Sequence, residues 1–286
     1  MSLMYYEKYL SLYEDIVLMT DSLEDKKVLS AGYNRTAKMY EQLGGQNNLL
    51  KALELSKKDI SLSKTLCTLE NTQENKRNLL ISYHTTANIS EQLGGKKNLQ
   101  NALDLYQKAL VLSEQLSASV NTSESKRDLS VSYNKVADIY EKLGGKDNLQ
   151  KALELYQKGL VLAEQLSASE NTSESKRDLS ISYGMTAGIY AKLGGKDNLQ
   201  KALELYQKGL ILEEQLSASE NTINTYDDLA VSLYKVAMHE YTDKQTKKQL
   251  LERAVLIAKM LYDNLPNERY EIFVRVFERE LKNMGK

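Results

Sequence analysis

The tripeptide LGG recurs along this chain at a constant spacing, and that spacing constrains the fold more than any other feature. It begins at Leu43, Leu93, Leu143 and Leu193. The period is therefore 50 residues, and residues 121–170 and 171–220 differ at only eight of their 50 positions. Residues 21–70 and 71–120 are looser copies in the same register. Such a period predicts an array in which each copy is one structural unit stacked on its neighbours.

Each copy has the hydrophobic pattern of two helices. In residues 123–143 the apolar and small side chains fall at Leu129, Tyr133, Val136, Ala137, Tyr140 and Leu143. This is the spacing of one helical face, and the glycine pair that follows predicts the end of the helix. Asp147 and Gln150 predict a capping pair for a second helix over 148–168. Kelch propellers also have a period near 50, but the alternation typical of strands is absent here. We name the first helix of a copy the A helix and the second the B helix.

The array predicts an all-α fold of about twelve helices. They are predicted over 3–20, 23–43, 48–69, 73–93, 98–118, 123–143, 148–168, 173–193, 198–218, 222–241, 246–264 and 267–283. Residues 1–20 form a half-repeat, 21–70, 71–120, 121–170 and 171–220 are repeats 1 to 4, 221–265 are a divergent last repeat, and 267–286 are an amphipathic cap. We expect residues 1–286 to form one continuous stack of helices. The half-repeat at residues 1–20 would also be found if the sequence were a segment of a longer chain.

Composition excludes several classes of function. Lys and Arg total 38 against 39 Asp and Glu, a balance that argues against a nucleic-acid ligand. A single cysteine, Cys67, and two histidines, His84 and His239, predict neither a disulfide nor a metal site. No phosphate-binding glycine loop is present, so we expect no cofactor and no enzymatic activity. Without an apolar run of membrane-spanning length or a visible leader, the sequence predicts a cytoplasmic protein with no membrane contact.

The aromatic and small residues of each copy resemble the tetratricopeptide repeat (TPR) family. The A helix of repeat 3 has Tyr133, Ala137 and Tyr140, and its B helix has Ala152, Tyr156 and Gly159. Repeat 4 has the same residue types 50 positions later. The departure is length, because a TPR repeat has about 34 residues. The resemblance implies a right-handed α-solenoid of antiparallel helix pairs, and a non-catalytic scaffold that binds a protein or peptide along a concave surface lined by A helices.

The differences between repeats 3 and 4 predict where a ligand would bind. Six of the eight fall within eleven residues of the A helix, while the B helix and the loop between the helices are almost unchanged. Three of the six positions are spaced as one helical stripe. Across all repeats this A stripe comprises Asn34, Lys38, Glu41, His84, Asn88, Glu91, Asn134, Asp138, Glu141, Gly184, Gly188, Ala191, Tyr234, Met238 and Tyr241. Our hypothesis is that it lines the binding groove, and the alternative is neutral drift of surface positions.

The last part of the stripe changes in character. Tyr234, Met238 and Tyr241 form an aromatic and apolar set, which we interpret as the anchor for a hydrophobic group of the ligand. Gly184 and Gly188 would then leave room for its backbone or for a bulky group. The alternative is that the apolar set packs against the terminal helices as a cap.

A basic residue also recurs near the start of each A helix. The set comprises Lys27, Arg77, Arg127 and Arg177, and the last repeat has Asp227 instead. One interpretation is an anion ladder that captures acidic side chains, a phosphate or a nucleic-acid backbone. The other, which we favour, is a solvated helix start whose charge is neutralised by the neighbouring Glu124, Asp128, Glu174 and Asp178.

The leading functional interpretation is therefore a non-catalytic scaffold for a protein or peptide. The second is a sensor or regulatory module of a larger bacterial-type signalling system, such as a peptide-pheromone receptor or a segment of an effector. An enzyme ranks third. Self-association through the terminal helices is the fourth, and it predicts a mass that depends on concentration.

Overall fold

The computed structural model describes residues 3–284, and every regular element among them is an α-helix. The helices are α1 (Leu3–Thr20), α2 (Leu23–Leu43), α3 (Gln46–Leu69), α4 (Gln73–Leu93), α5 (Gly95–Val120), α6 (Ser123–Leu143), α7 (Lys146–Glu170), α8 (Ser173–Leu193), α9 (Lys196–Glu220), α10 (Ile223–Met238), α11 (Lys244–Asn264) and α12 (Glu268–Asn283). The A helices are α2, α4, α6, α8 and α10, and the B helices are α3, α5, α7, α9 and α11. The sequence-based prediction of an all-α array is confirmed.

The chain divides into two compact units, one ending at Gly144 and the other beginning at Gly145. In the first unit each of α1 to α5 packs against the next helix, and α2 also contacts α4. In the second unit each of α7 to α11 packs against its successor. Because short turns join the helices, neighbours run antiparallel. Each unit is a stack of helix pairs. None of the helices in residues 3–284 combines the length and the apolar character that a bilayer-spanning segment needs.

Capping residues set the helix boundaries. Thr122 and Thr172 accept hydrogen bonds from backbone N–H groups of their own helices, and the serine three residues later completes a capping box in each case. The B helices α5, α7 and α9 end at asparagines with left-handed φ angles of 48–50°, a conformation that asparagine tolerates. Leucine and glycine of LGG end the A helices α2, α4, α6 and α8, as predicted.

Several predicted boundaries are wrong. The B helices α5, α7 and α9 begin two or three residues earlier and end two residues later than predicted. Helix α7 begins at Lys146 directly behind Gly145 without a side-chain cap, so Asp147 and Gln150 are not a capping pair. Helix α10 ends at Met238 rather than at residue 241. There the Thr242 hydroxyl donates to the Val236 carbonyl at 2.6 Å, which satisfies a helix-terminal acceptor and turns the chain.

Tyrosines of the A helices α6 and α8 connect repeats 3 and 4 to the preceding B helix. Tyr133 donates to the carboxylate of Glu114 at 3.1 Å, and Tyr183 donates to that of Glu164 at 3.0 Å. Burial, helped by these carboxylates, raises the pKa of both tyrosines to about 12. Alanines such as Ala137 are 0% exposed, so the helices approach closely beside the aromatic rings.

Helix α12 packs on α11 and closes the second unit. Its apolar face buries Tyr270 and Phe277, and Phe273 stacks on Phe277 with ring centroids 5.3 Å apart. This agrees with the amphipathic helix predicted at this end of the chain, within one residue at its start.

Candidate functional site

The A stripe of repeat 1 contacts its neighbours within the first unit. Asn34 of α2 donates through Nδ2 to the Asp59 carboxylate at 3.1 Å and to the Thr85 hydroxyl of α4 at 3.2 Å. The side chain amide of Gln92 donates to Glu41 at 2.5 Å, again from α4 to α2. The third stripe residue of this repeat, Lys38, is exposed.

The stripe of repeat 2 is bonded in the same way. His84 Nε2 lies 3.2 Å from the Ser132 hydroxyl of α6, and burial lowers the pKa of this imidazole to about 4. Asn88 accepts a hydrogen bond from Tyr106, and Glu91 forms an ion pair with Lys142 of α6.

Much of the stripe in the first unit therefore joins one repeat to the next. This role is not evident from the sequence alone, and it offers a third reason for the variation, because each interface needs its own matched partners. Repeat 3 differs, because Asn134 has a buried Oδ1 without a hydrogen-bond partner among the described residues. Asp138 and Glu141 are half-buried on the same helix.

In the second unit the stripe on α8 has little side-chain bulk. Gly184, Gly188 and Ala191 are all half-buried. A Cβ atom at Gly184 would lie 3.9 Å from Nζ of Lys235, and one at Gly188 would lie 3.7 Å from the hydroxyl of Tyr206. Neither glycine is required by close packing, because a Cβ at either position would meet its neighbour at an ordinary van der Waals distance.

Helix α10 ends at Met238, so two residues of the apolar end of the stripe lie on this helix and the third lies beyond it. Tyr234 stacks on Phe277 of α12 with ring centroids 4.7 Å apart, and Met238 packs against the same core. Tyr241 lies beyond the helix, is 42% exposed and contacts the His239 ring. The three residues do not share one helical face, and the packing of Tyr234 favours the cap alternative over a ligand anchor.

Exposed aliphatic side chains accompany the stripe, and the sequence analysis did not select them. Ile81 and Val131 in the first unit are 38% and 42% exposed, and Ile181 in the second unit is 48% exposed. Each lies three residues before a stripe position, so the two share a helix face. The signal that could have found them is a β-branched apolar residue recurring every 50 residues on the varied helix.

The predicted basic ladder is engaged in ion pairs between elements. Lys27 pairs with Glu70 at 3.3 Å, and Arg177 pairs with Glu220 at 2.8 Å. Arg77 binds Asp128 at 2.9 Å and also contacts Glu124. Both partners of Arg77 belong to the following repeat, whereas the sequence had suggested Glu124 and Asp128 as neighbours that neutralise the start of their own helix.

In the last repeat the pairing is reversed in sign. Asp227 accepts two hydrogen bonds from Arg269 of α12, at 3.2 and 2.8 Å. The residue at this repeat position therefore forms an ion pair with another element whether it is basic or acidic. This argues against a continuous anion ladder.

The remaining candidate groups are the acidic and histidine side chains and the single cysteine. Among residues 3–284 no three His, Cys, Asp or Glu side chains converge as a metal ion would require. Cys67 is half-buried, and burial raises the pKa of its thiol, which disfavours the nucleophilic thiolate.

Comparisons with known proteins support the helical-repeat class. No protein-family model matches the chain, and no curated protein matches its sequence. BtubC (BKLC) from P. vanneervenii is 15% identical and has a TM-score of 0.63 over 93% of this chain and 92% of that one. The nuclear import adaptor Nro1 of S. pombe is 14% identical, with a TM-score of 0.57 over 93% of this chain and 86% of that one.

A third similar structure is a Signal Transduction ATPase with Numerous Domains (STAND) protein with a tetratricopeptide repeat sensor from Pyrococcus horikoshii. It is 17% identical, with a TM-score of 0.57 over 97% of this chain, but the chain spans only 39% of that protein. Identities this low show the fold alone. The protein is an all-α solenoid of helix pairs, a member of the broad class of helical-repeat proteins.

Proposed function

We propose that this protein is a non-catalytic, TPR-like scaffold that binds a protein or peptide on the faces of its A helices. One observation carries the proposal. Repeats 3 and 4 differ at five exposed or half-buried positions of the A helix, whereas the exposed polar side of the B helix is unchanged and its one exposed difference, Val161 against Ile211, is conservative. Among these unchanged B-helix residues, Gln150, Lys151, Glu154, Gln157 and Lys158 are all exposed, as are their counterparts in repeat 4. Neutral drift would alter both faces, so selection for different ligand contacts on the A face explains the contrast better.

The chemistry of the A faces suits an extended polypeptide. Exposed Val131 and Ile181 offer apolar contact at one position of each repeat. Asn134 lies one turn beyond Val131, and its buried side-chain oxygen has no partner among the described residues. A peptide presents both apolar side chains and N–H donors, and so it can satisfy both kinds of group.

A peptide library displayed on phage tests the proposal. Peptides selected on the immobilised whole chain should lose binding to a variant carrying Val131→Arg and Ile181→Arg. The matched control carries Val161→Arg and Ile211→Arg, because these B-helix residues are 51% and 54% exposed. Peptides that keep their affinity for the first variant and lose it for the second would contradict the A-face assignment.

The second candidate is a sensor module within a larger signalling protein in the cytoplasm. It is favoured by the similarity over nearly the whole of this chain to a STAND protein that has a TPR sensor. A sensor must change state when its ligand binds. Small-angle scattering of the whole chain with a selected peptide should then show a change in radius of gyration. An unchanged radius at saturation would favour the simple scaffold.

A further inference from the structure

Helix α1 presents large apolar side chains beside the first A helix. Tyr5 and Leu12 are 61% and 58% exposed, and Tyr9 lies between them on the same helix face. Together with Val28 of α2 they line a cavity of about 680 Å³ between the two helices, which we name the α1–α2 cavity. Pockets that hold small organic molecules have volumes of about 300–1,000 Å³ and mostly apolar walls. The α1–α2 cavity therefore has the size and the lining of a ligand pocket.

Two small residues of repeat 1 give this cavity its room. Ala31 of α2 lines the cavity, whereas repeats 2 to 4 have the bulkier Ile81, Val131 and Ile181 at its position. Gly32, the next residue, also lines the cavity, and the same three repeats have serine there. The repeat that borders the cavity thus differs from the others at the residues that would fill it.

Tyr9 is a further departure from the repeat pattern, in which α1 corresponds to a B helix. Its ring packs on Gly32, where a Cβ would lie 2.9 Å from Cε1 of Tyr9. The B helices of repeats 1 to 4 have smaller side chains at the position of Tyr9, namely Asp59, Ala109, Gly159 and Gly209. At that position in repeat 4 the B helix passes close to its A helix, since a Cβ at Gly209 would lie 3.6 Å from the Ser180 carbonyl oxygen. A tyrosine leaves less room there, so a small ligand suits the cavity better than another stacked helix.

The charge of the cavity wall is positive. Lys8 and Arg35 line it and are exposed, and no acidic residue is among the described residues of the wall. Neither cation forms an ion pair within residues 3–284, and neither has an acidic residue three or four positions away on its own helix. Asp59 borders a neighbouring cavity that shares Arg35, but its carboxylate already accepts hydrogen bonds from Ser30 and Asn34. Two positive charges are therefore available to an anion in the α1–α2 cavity.

Lys8 also lacks an aromatic contact that its counterparts have. The equivalent Lys58 and Lys208 lie over the rings of Tyr33 and Tyr183, with Nζ 5.5 and 5.6 Å from the ring centroids. No ring occupies this place at Lys8 among the described residues. Because an ammonium group is attracted to the face of an aromatic ring, a ring supplied by a ligand would complete this contact.

We propose that the α1–α2 cavity binds a small aromatic molecule with a negative charge, such as an aryl carboxylate, sulfonate or phosphate. The ring packs against Tyr9 and beneath Lys8, and the anionic group accepts hydrogen bonds from the guanidinium of Arg35. Charge-assisted bonds to a planar guanidinium fix the orientation of such a group. This binding function is separate from the peptide binding proposed above, because the cavity borders repeat 1 and the contrast that supports peptide binding lies in repeats 3 and 4.

Fluorescence titration of the whole chain tests the site with a matched pair of dyes. The probe is 8-anilinonaphthalene-1-sulfonate, an aromatic anion whose emission rises in apolar surroundings. The reference is N-phenyl-1-naphthylamine, which has the same rings without the sulfonate. The sulfonate dye should bind saturably, because it offers both the ring and the charge that the cavity lacks.

Two variants connect the signal to the cavity. Arg35→Gln removes the charge and should weaken binding of the sulfonate dye about tenfold, while the affinity for the neutral dye stays within about twofold. Ala31→Ile introduces the residue of repeats 2 and 4 into the cavity and should weaken binding of both dyes. The matched controls are Lys135→Gln and Val131→Ile, which alter the same two repeat positions in repeat 3 and should leave both affinities unchanged. If Ala31→Ile lowers the helix content, Arg35→Gln decides the outcome alone.

A sulfonate dye that does not saturate, or that keeps its affinity in Arg35→Gln, would overturn the proposal. An equal loss of affinity for both dyes in Arg35→Gln would also overturn it, because the site would then not discriminate charge. Light scattering at the titration concentrations tests a second copy of the chain as the occupant. A dimer that Leu12→Asp separates into monomers would assign the cavity to self-association and overturn the proposal as well.

Discussion

Replacing the two stripe glycines of α8 by alanine should stabilise this protein. Both lie inside the helix, where alanine is better than glycine by about 0.8–1 kcal/mol. The new methyl group of Gly184→Ala would lie 3.9 Å from the Lys235 ammonium, and that of Gly188→Ala would lie 3.7 Å from the Tyr206 hydroxyl. These are ordinary van der Waals distances, so no packing cost offsets the gain. We expect the double variant to be more stable by about 1.5–2 kcal/mol.

Urea unfolding followed by circular dichroism at 222 nm measures this change. The matched control is Gly32→Ala on α2, where a Cβ would lie 2.9 Å from Cε1 of Tyr9 and 3.0 Å from Cδ2 of Leu10. That contact forces a shift of buried and aromatic groups, so this variant should be less stable than the wild type by about 1 kcal/mol. The two substitutions are chemically identical and are expected to differ in sign.

A loss of stability in Gly184→Ala and Gly188→Ala would refute the reasoning, because it would mean that α8 is packed more tightly than the structure shows. The same variants also probe function. If the glycines exist for a ligand, the stabilised protein should bind selected peptides more weakly, which is the usual compromise between stability and function at binding sites.

Three further changes test particular contacts. His84 has a folded-state pKa of about 4 against an ordinary 6.5. Its contribution to stability is therefore complete above pH 6.5 and decreases by at most about 3 kcal/mol as the pH falls to 4. Urea unfolding midpoints across this range should show the loss of stability, and His84→Asn should reduce that loss. Tyr234→Ala removes the stack on Phe277 and should cost about 2 kcal/mol in a urea titration, whereas exposed Tyr241→Ala should change stability by less than about 0.5 kcal/mol. Arg77→Ala breaks partly exposed ion pairs and should cost about 0.5–1 kcal/mol in low salt and less in 1 M salt.

Each of these has its own control. Asparagine is the residue at the positions of repeats 1 and 3 that correspond to His84, so an unchanged pH profile in His84→Asn would assign the acid sensitivity to other groups. Equal losses in the two tyrosine variants would mean that Tyr241 packs as Tyr234 does. A cost for Arg77→Ala that does not depend on salt would indicate lost side-chain packing instead of lost charge.

Much of the fold was predictable because the same repeat unit occurs several times in the chain. A single copy of Tyr133, Ala137 and Tyr140 would be an ordinary amphipathic helix. Its recurrence at a fixed period made the helix pairs and their stacking evident. Boundaries were less predictable, since the end of α10 depends on the hydrogen bond from Thr242 to the Val236 carbonyl, which no periodicity encodes.

The candidate site was only partly predictable for a related reason. Variation identified the A helix as the face that differs between repeats, but it could not separate residues that bind a neighbouring repeat from residues open to a ligand. Asn34 and Gly184 occupy the same repeat position. The first is bonded to Asp59 and Thr85, and the second has no side chain that could form such bonds.

Sequence by itself determined the period, the two helices of each repeat and the helix on which the repeats differ, because these follow from residue spacing along one chain. Only the tertiary structure decided that Arg77 pairs with the following repeat, that Tyr234 supports the terminal helix and that Tyr9 and Arg35 line one cavity. Those features depend on side chains from different helices meeting in space, and helical periodicity fixes the face on which a side chain lies but not the partner it meets there.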